Sequence, residues 1–199
     1  PAQIENKLDR ILLKVQKPGR YVGGELNSII KDWESVQTRV ALVFPDIYDI
    51  GVSNVGLKIL YDQVNQREDA LAERAYAPWF DMEALMRQHG IPLYALESKR
   101  PLACFDLIGF TLPYETLYTN ALNILDLAQI PLRAVERDSS HPIIIAGGGV
   151  HYAEAWDELK TFAEQCGVPV GETFGGKGAM REASDMALGA VGVTGTPSA

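Results

Sequence analysis

From Thr38 onward, short apolar runs alternate with amphipathic segments. Apolar residues three and four positions apart predict helices, and unbroken runs bounded by turn residues predict buried strands. Helices are predicted around Leu57–Val64, over 81–90 ending on Gly90, over 117–129 and over 156–166. Strands are predicted at 38–45, 73–78, 105–112, 142–147 and 168–173, with a further extended piece at 91–97. This alternation predicts an α/β fold with a central parallel sheet, which binds ligands beyond the carboxyl ends of its strands.

The first 37 residues follow a different pattern. Ile4, Leu8, Ile11 and Leu12 give a short apolar periodicity, and Pro18-Gly19 and Gly23-Gly24 give two turns in succession. We therefore expect three parts: an N-terminal extension at 1–37 that packs on the domain, an α/β domain at 38–148, and a partial unit at 149–199. The glycine-rich tail "GAVGVTGTPSA" is typical of a truncated domain.

Composition narrows the function classes. The chain is 47% hydrophobic and 22% charged with a net charge of −8, which is ordinary for a globular protein and unlike a nucleic-acid-binding surface. Cys104 and Cys166 lie far apart and flank no motif, so we expect both to be buried apolar residues rather than a disulfide or metal ligands. No apolar run is long enough to cross a membrane and no leader pattern is present, which predicts a cytoplasmic protein with no membrane partner.

Two loops at predicted carboxyl ends of strands carry candidate chemistry. The first reads Asp46-x-Tyr48-x-x-Gly51 and continues to Ser53 and Gly56. It is either a ligand loop or a loop that caps the next helix. The second is Thr111-Leu112-Pro113-Tyr114-Glu115. Either Thr111 and Tyr114 contact a ligand, or Thr111 or Pro113 sets the entry to the following helix with Glu115 near its N-terminus. A third candidate, Gly147-Gly148 in "PIIIAGGGV", is a strand running into a glycine turn.

Four ordered blocks give the first of these loops a context. They are "VQKPGRYVGGELNSIIKDW", "FPDIYDIGVSNVGLKILYDQVNQR", "LAERAYAPWFDMEALMRQHGIPLYALES" and "FDLIGFTLPYETLYTNALNILDLAQIPLRAVER". Over residues 8–148 the chain resembles the N-terminal region of B12-binding-domain radical SAM proteins. The resemblance implies a flavodoxin-like or Rossmann-like three-layer sandwich that binds cobalamin.

The resemblance also implies which residues hold the cofactor. They are Asp46, Tyr48, Gly51, Ser53, Gly56, Thr111, Tyr114, Gly147 and Gly148. The family's radical chemistry lies in a later barrel with a C-x-x-x-C-x-x-C motif, and this chain has no such motif. We therefore expect neither an iron–sulfur cluster nor S-adenosylmethionine here, and no catalysis by this chain alone.

The chain departs from the family at the cobalt ligand. Cobalamin-binding relatives carry D-x-H-x-x-G, and Tyr48 stands where their histidine ligates cobalt. The three histidines are His89, His141 and His151, and none is placed by sequence to reach cobalt from this loop. We therefore expect cobalamin to bind with its nucleotide tail displaced and without a protein imidazole on the metal.

The last quarter of the chain resembles a second family. Residues 143–199, with "AGGGV", "GVPVGET", "GKGA" and "GVTGT" in order, are similar to the central domain of thiamine-diphosphate enzymes of the trihydroxycyclohexanedione hydrolase type. That domain is a Rossmann-like spacer in its family, so thiamine diphosphate binding is not expected. The sequence thus looks chimeric near residue 147, by natural recombination, design or assembly. The alternative functions are a fragment of such a hydrolase and an α/β scaffold without a ligand.

Overall fold

The computed structural model describes residues 2–148, 156–167, 170–172, 185 and 187–190. Within these residues, six parallel strands form one sheet in the order β2-β1-β3-β4-β5-β6. They are β1 (Thr38–Phe44), β2 (Ala70–Tyr76), β3 (Leu107–Leu112), β4 (Ile143–Gly148), β5 (Val170–Glu172) and β6 (Ala187–Ala190). The order of the first five is that of flavodoxin-like folds.

Helices cover both faces of this sheet. They are α1 (Ala2–Leu12), α2 (Gly19–Val22), α3 (Tyr48–Gly51), α4 (Val55–Asn65), α5 (Phe80–His89), α6 (Leu117–Leu127) and α7 (Trp156–Cys166), with 3₁₀ turns at Leu102–Cys104 and Ala134–Glu136. Contacts of Arg87 with Asp126 and of Tyr118 with Phe162 place α5, α6 and α7 side by side. Because strand crossovers are right-handed, α4 lies on the opposite face, which completes a three-layer α/β sandwich.

The predicted apolar patterns account for the core. β1 is buried from Val40 to Phe44, as expected for a strand covered on both faces. The predicted N-terminal periodicity is a helix, α1, whose Leu8 and Ile11 are buried in the main core. Gly90 ends α5 in the left-handed conformation with φ +60°, as its position predicts. Among the described residues no helix combines the length and apolar character that a bilayer crossing requires.

Three local predictions are corrected. Residues 91–97 form no strand of the sheet, and only Tyr94 makes an isolated bridge, to Pro101. Here the apolar pattern reflects burial: the backbone hydrogen bonds go to turns and to α6, apart from one bond from Leu96 to the edge of β2. β2 begins at Ala70 rather than at 73. Cys104 is exposed because the short 3₁₀ turn that it ends buries only Leu102.

The outer edge of β2 is closed by groups that belong to no strand. The Asn65 side chain donates to the carbonyl of Ala72 at 2.9 Å and accepts its N–H at 3.0 Å. The carbonyl of Arg74 accepts from the Leu96 N–H at 2.7 Å, and its N–H donates to the Glu97 carboxylate at 2.8 Å. Lys31 donates to the carbonyl of Ala70 at 2.7 Å. Side chains and a loop thus take the hydrogen bonds of a missing neighbour strand.

Candidate functional site

The carboxyl ends of β1, β3 and β4 meet at one edge of the sheet, because the three strands are parallel neighbours. The chain leaves β1 toward β2 and leaves β3 toward β4, in opposite directions. In this fold class, ligands bind in the crevice at such a switch point, which here falls between β1 and β3. Asp46 follows β1, Tyr114 follows β3, and Gly147 and Gly148 end β4.

Backbone contacts hold the loop after β1 rigidly at this crevice. The carbonyl of Asp46 accepts from the Ala77 N–H at 2.9 Å, and the Asp46 carboxylate accepts from the Ile47 N–H at 2.7 Å. The carbonyl of Pro45 accepts from the side-chain amide of Asn120 at 2.9 Å. The loop is therefore tied both to the end of β2 and to α6, so that its carboxylate has a fixed position.

The second loop faces the first across the crevice. Tyr114 is 38% exposed, and partial burial, the charge of the Asp46 carboxylate and a hydrogen bond to it raise the pKa of the Tyr114 phenol. Thr111, at half-buried depth on β3, pairs in register with Gly147, and Leu112 pairs with Gly148. Five predicted site residues are thus brought to the same edge: Asp46, Thr111, Tyr114, Gly147 and Gly148.

Tyr48 occupies a different environment from the one that a cobalt ligand needs. Its hydroxyl donates to the Glu25 carboxylate at 2.5 Å, and its ring lies edge-on to Tyr76 with centroids 5.3 Å apart. Burial and the Glu25 carboxylate raise its pKa to about 12. The phenol is therefore neutral and already hydrogen-bonded. It connects α3 to the N-terminal extension (residues 1–37), which we call the arm.

The remaining predicted residues serve local structure. A Cβ on Gly51 would lie 2.6 Å from the ring of Tyr76, so this glycine permits close packing. The Ser53 hydroxyl donates to the carbonyl of Ile50 at 2.9 Å, and Gly56 is exposed in the first turn of α4. The Asn54 side chain caps that helix by accepting from the Leu57 N–H at 2.8 Å. The helix-cap interpretation therefore describes the second half of the loop.

An ion-pair network that no sequence pattern predicts lies beside this loop. We call it the Arg74 clamp; it comprises Arg74, Glu97, Glu25 and Tyr48. The Arg74 guanidinium donates to Glu97 and to Glu25, both at 2.7 Å. Partial burial acts to raise the pKa of Glu25, but hydrogen bonds from Tyr48 and Arg74 outweigh it and hold that pKa below its ordinary value. The clamp joins β2 to the arm and to the turn after Leu96.

The described histidines lie away from the crevice. His89 ends α5, which runs from the carboxyl end of β2 back toward the amino edge of the sheet. His141 precedes β4 at that amino edge, with its Nδ1 3.0 Å from the Asp138 carboxylate. His151 lies outside the described residues. Within the part of the chain that the structure describes, no group of His, Cys, Asp and Glu side chains is arranged to hold a metal ion.

Comparison with known proteins gives two kinds of match. The family model described as "Radical SAM proteins, N-terminal" matches residues 56–168, which include β2 through α7 and run past the predicted change of family near residue 147. A crystal structure of CapF with the inhibitor 3-isopropenyl-tropolone is similar at TM-score 0.39 and 13% identity, over 68% of this chain and 30% of that chain.

The second kind of match covers a short piece only. The 3D-(3,5/4)-trihydroxycyclohexane-1,2-dione hydrolase of Clostridium botulinum (strain Alaska E43 / Type E3) is 48% identical over 59 residues, which is 30% of this chain and 9% of the enzyme. The enzyme of the same description from Bacillus cereus (strain AH820) is 52% identical over 58 residues, 29% of this chain and 9% of the enzyme. The chain thus spans about a tenth of the length of these curated relatives.

Proposed function

This chain belongs to the family of radical SAM protein N-terminal regions, and from that premise we propose that it is a module that binds a corrinoid cofactor without catalysis of its own. The observation that carries the proposal is the convergence of Asp46, Tyr114 and the Gly147-Gly148 pair on the β1–β3 crevice. The crevice is the place at which this fold class binds cofactors.

The chemistry of the crevice suits the periphery of a corrin. A corrin carries neutral amide side chains, which need hydrogen-bond acceptors and donors rather than charge neutralisation. The Asp46 carboxylate, to which the Tyr114 hydroxyl already donates, has further lone pairs to accept from an amide N–H, while the Thr111 hydroxyl donates to an amide carbonyl. Gly147 and Gly148 present no side chain at the end of β4, which permits a close approach to backbone.

The same residues do not fit a protein ligand on cobalt. The Tyr48 hydroxyl is engaged by Glu25, and both described histidines lie toward the opposite edge of the sheet. A bound corrinoid would supply organometallic cobalt chemistry, and this chain would contribute binding and orientation. We accordingly propose a binding mode with the nucleotide tail displaced and no protein imidazole on the metal.

Titration with cobalamin tests the proposal. We expect a change in the visible spectrum and co-elution of the cofactor with the protein. Gly148→Trp should abolish both, because the added indole would occupy the end of β4. Gly19→Leu is the matched control: no atom lies within 4 Å of a Cβ built there, so binding should persist. Tyr48→Phe should also leave binding largely intact. Absence of binding together with a cooperative thermal transition would support the scaffold alternative.

The ligand claim has a separate test. Electron paramagnetic resonance of the Co(II) form should show no nitrogen splitting that depends on a protein histidine. Splitting that disappears when His89, His141 or His151 is replaced would overturn the proposed binding mode, while leaving corrinoid binding itself in place.

A second candidate function follows from the short, highly identical match to trihydroxycyclohexanedione hydrolases. The chain would then be a piece of a thiamine-diphosphate enzyme. Thiamine-dependent hydrolysis of the cyclic dione by the purified chain would establish this candidate.

A further inference from the structure

The outer side of α4 carries aliphatic residues that are open to solvent. Val55, Ile59 and Leu60 are 67%, 56% and 49% exposed. Leu57 and Tyr61, on the opposite side of the same helix, are buried in the core. A single exposed aliphatic residue is ordinary on a protein surface, but three within two turns of one helix form a patch. α4 thus has one apolar side toward the sheet and another toward solvent.

The arm adds two more exposed aliphatic residues beside this helix. The Ile29 N–H donates to the hydroxyl of Tyr61 at 2.8 Å, which holds this part of the arm next to α4. Leu26 and Ile30, close to Ile29 in the arm, are 100% and 79% exposed. An apolar patch built from two adjoining segments is typical of a surface that meets another molecule. We call it the α4 face; it comprises Leu26, Ile30, Val55, Ile59 and Leu60.

Two residues of opposite charge lie along one edge of the α4 face. Lys58 and Asp62 are both exposed, and their spacing of four residues places them one above the other on the helix. Asp62 accepts from the side-chain amide of Gln66 at 2.7 Å. Lys58 lies near enough to the arm for its charge to help lower the pKa of Glu25, but neither Lys58 nor Asp62 forms an ion pair with a residue that the structure describes. Both charges are therefore available to a partner.

This arrangement is complementary to itself. In a dimer with antiparallel α4 helices and a two-fold axis passing near Ile59, residues after Ile59 meet residues before Ile59 of the second copy. At a rise of about 1.5 Å per residue, Lys58 is then displaced by only about 3 Å along the axis from Asp62 of the second copy. A two-fold axis perpendicular to both helices brings the same edge of each helix together. Lys58 therefore faces Asp62 of the second copy, and this pairing occurs twice.

The charges of the chain favour a second copy over other occupants. A nucleic acid or an anionic membrane requires clustered positive charge, whereas α4 carries one lysine and one aspartate. The net charge of −8 opposes association of two copies at long range, so that contact between them needs local complementarity. The reciprocal pairing of Lys58 and Asp62 supplies that complementarity.

We propose that the α4 face binds a second copy of this chain in a two-fold dimer, with antiparallel α4 helices and reciprocal Lys58–Asp62 ion pairs. Val55 and Ile59 pack against the second copy between the two ion pairs. Because the contact is small, we expect a dissociation constant of about 10–100 µM. None of these residues lies at the β1–β3 crevice, so the dimer does not depend on corrinoid binding.

Sedimentation equilibrium of the full chain at several concentrations tests the proposal. We expect a reversible equilibrium between monomer and dimer. Ile59→Lys should weaken the dimer by at least about tenfold, because it places two cations at the two-fold axis. Val135→Lys is the matched control: Val135 is 91% exposed in the 3₁₀ turn after α6, so the dissociation constant should not change. Both side chains are exposed, so the urea midpoints of the two variants at low protein concentration verify that they fold.

Exchange of the two charges tests the pairing itself. Lys58→Asp and Asp62→Lys should each weaken the dimer by at least about fivefold, because charges of the same sign then face each other. The double variant, Lys58→Asp with Asp62→Lys, should restore the dissociation constant to within about twofold of wild type, because the pairs form again with reversed sign. A double variant no tighter than the single ones would overturn the proposal. A wild-type chain that remains monomeric at about 1 mM would overturn it as well, and would leave the α4 face to a different partner.

Discussion

Gly51 ends the Asp46-x-Tyr48-x-x-Gly51 motif and Gly56 lies five residues later, but the two glycines have different surroundings. A Cβ on Gly51 would lie 2.6 Å from two ring atoms of Tyr76 and 3.0 Å from the ring of Phe44, both of which are buried. A Cβ on Gly56 would meet only the Asn54 side chain, at 3.4 Å. One glycine is thus required by packing, and the other is an exposed glycine inside a helix.

The pair supports a matched prediction. Gly51→Ala should lower the free energy of unfolding by about 2 kcal/mol, because the buried rings have to move. Gly56→Ala should raise it by about 0.5 kcal/mol, because alanine restricts the unfolded chain and favours helix. Urea unfolding of the two variants measures both values. Equal stability of Gly51→Ala and wild type would contradict the packing described here.

At the scale of single residues, the sequence predicts the position of the crevice better than the roles of the residues around it. Asp46 and Tyr114 follow strands whose apolar runs are plain in the sequence, so their shared edge was predictable. The role of Tyr48 was not, because it depends on Glu25, 23 positions earlier in an arm without strong periodicity. No local sequence pattern indicates which distant carboxylate will accept a hydrogen bond from a given tyrosine.

At the scale of elements, the Arg74 clamp joins β2 to two segments outside the sheet. The side chains of Arg74 and Glu97 are 7% and 1% exposed, and their contact is 2.7 Å. Glu25 brings the N-terminal arm into the same network. A buried pair of this kind contributes little relative to apolar packing, but removal of one partner leaves a charge stranded away from water.

Replacement of Arg74 should therefore be costly. Arg74→Met should lower the free energy of unfolding by about 3 kcal/mol, because Glu97 is left buried without a cation. Arg74→Met with Glu97→Gln should recover part of that loss. The control is Arg67→Met: Arg67 is 65% exposed and pairs with Asp69 at 2.8 Å, so its loss should change stability by less than about 1 kcal/mol. Chemical denaturation measures all three, and a mild effect at Arg74 would argue against the clamp.

The prediction of helices and strands was wrong where a buried apolar segment is not a strand of the sheet. Residues 91–96 are almost all buried, which the apolar run indicated correctly. Their hydrogen bonds, however, join Leu93 to Leu127 and Ala95 to Arg100, and the bond from Leu96 to the carbonyl of Arg74 meets the edge of β2 without forming a strand. The predicted strand began at Glu73 and missed Ala70–Ala72, because the buried charges of Glu73 and Arg74 separate these three apolar residues from the rest of a strand that is buried throughout.

At the scale of the whole molecule, neighbouring strands of the sheet are paired over different lengths. β3 and β4 share six register pairs from Leu107–Ile143 to Leu112–Gly148. Among the described residues, β4 and β5 share one register pair, Ala146–Val170, and the β5–β6 pairing carries a register shift. The junction between β4 and β5 is thus the narrowest connection in the part of the sheet that the structure describes.

This difference in strand pairing predicts two levels of protection of backbone amides against hydrogen exchange. Amides of β5 and β6 should exchange with solvent at least tenfold faster than those of β1 and β3, because the narrow junction permits opening without global unfolding. Hydrogen exchange followed by mass spectrometry measures this. Uniform protection across all six strands would indicate a single cooperative unit. The predicted change of family near residue 147, at the end of β4, stays a prediction.

The closed outer edge of β2 has a consequence for behaviour at high concentration. An exposed edge strand offers a row of free amides and carbonyls on which a strand from another molecule can grow. Here Asn65 occupies both backbone groups of Ala72, while Leu96 and Glu97 occupy those of Arg74. A second molecule therefore finds no template for continuation along this side of the sheet. The buried side-chain amide of Asn65 thus blocks strand addition at Ala72 and disfavours growth of the sheet into a filament from β2.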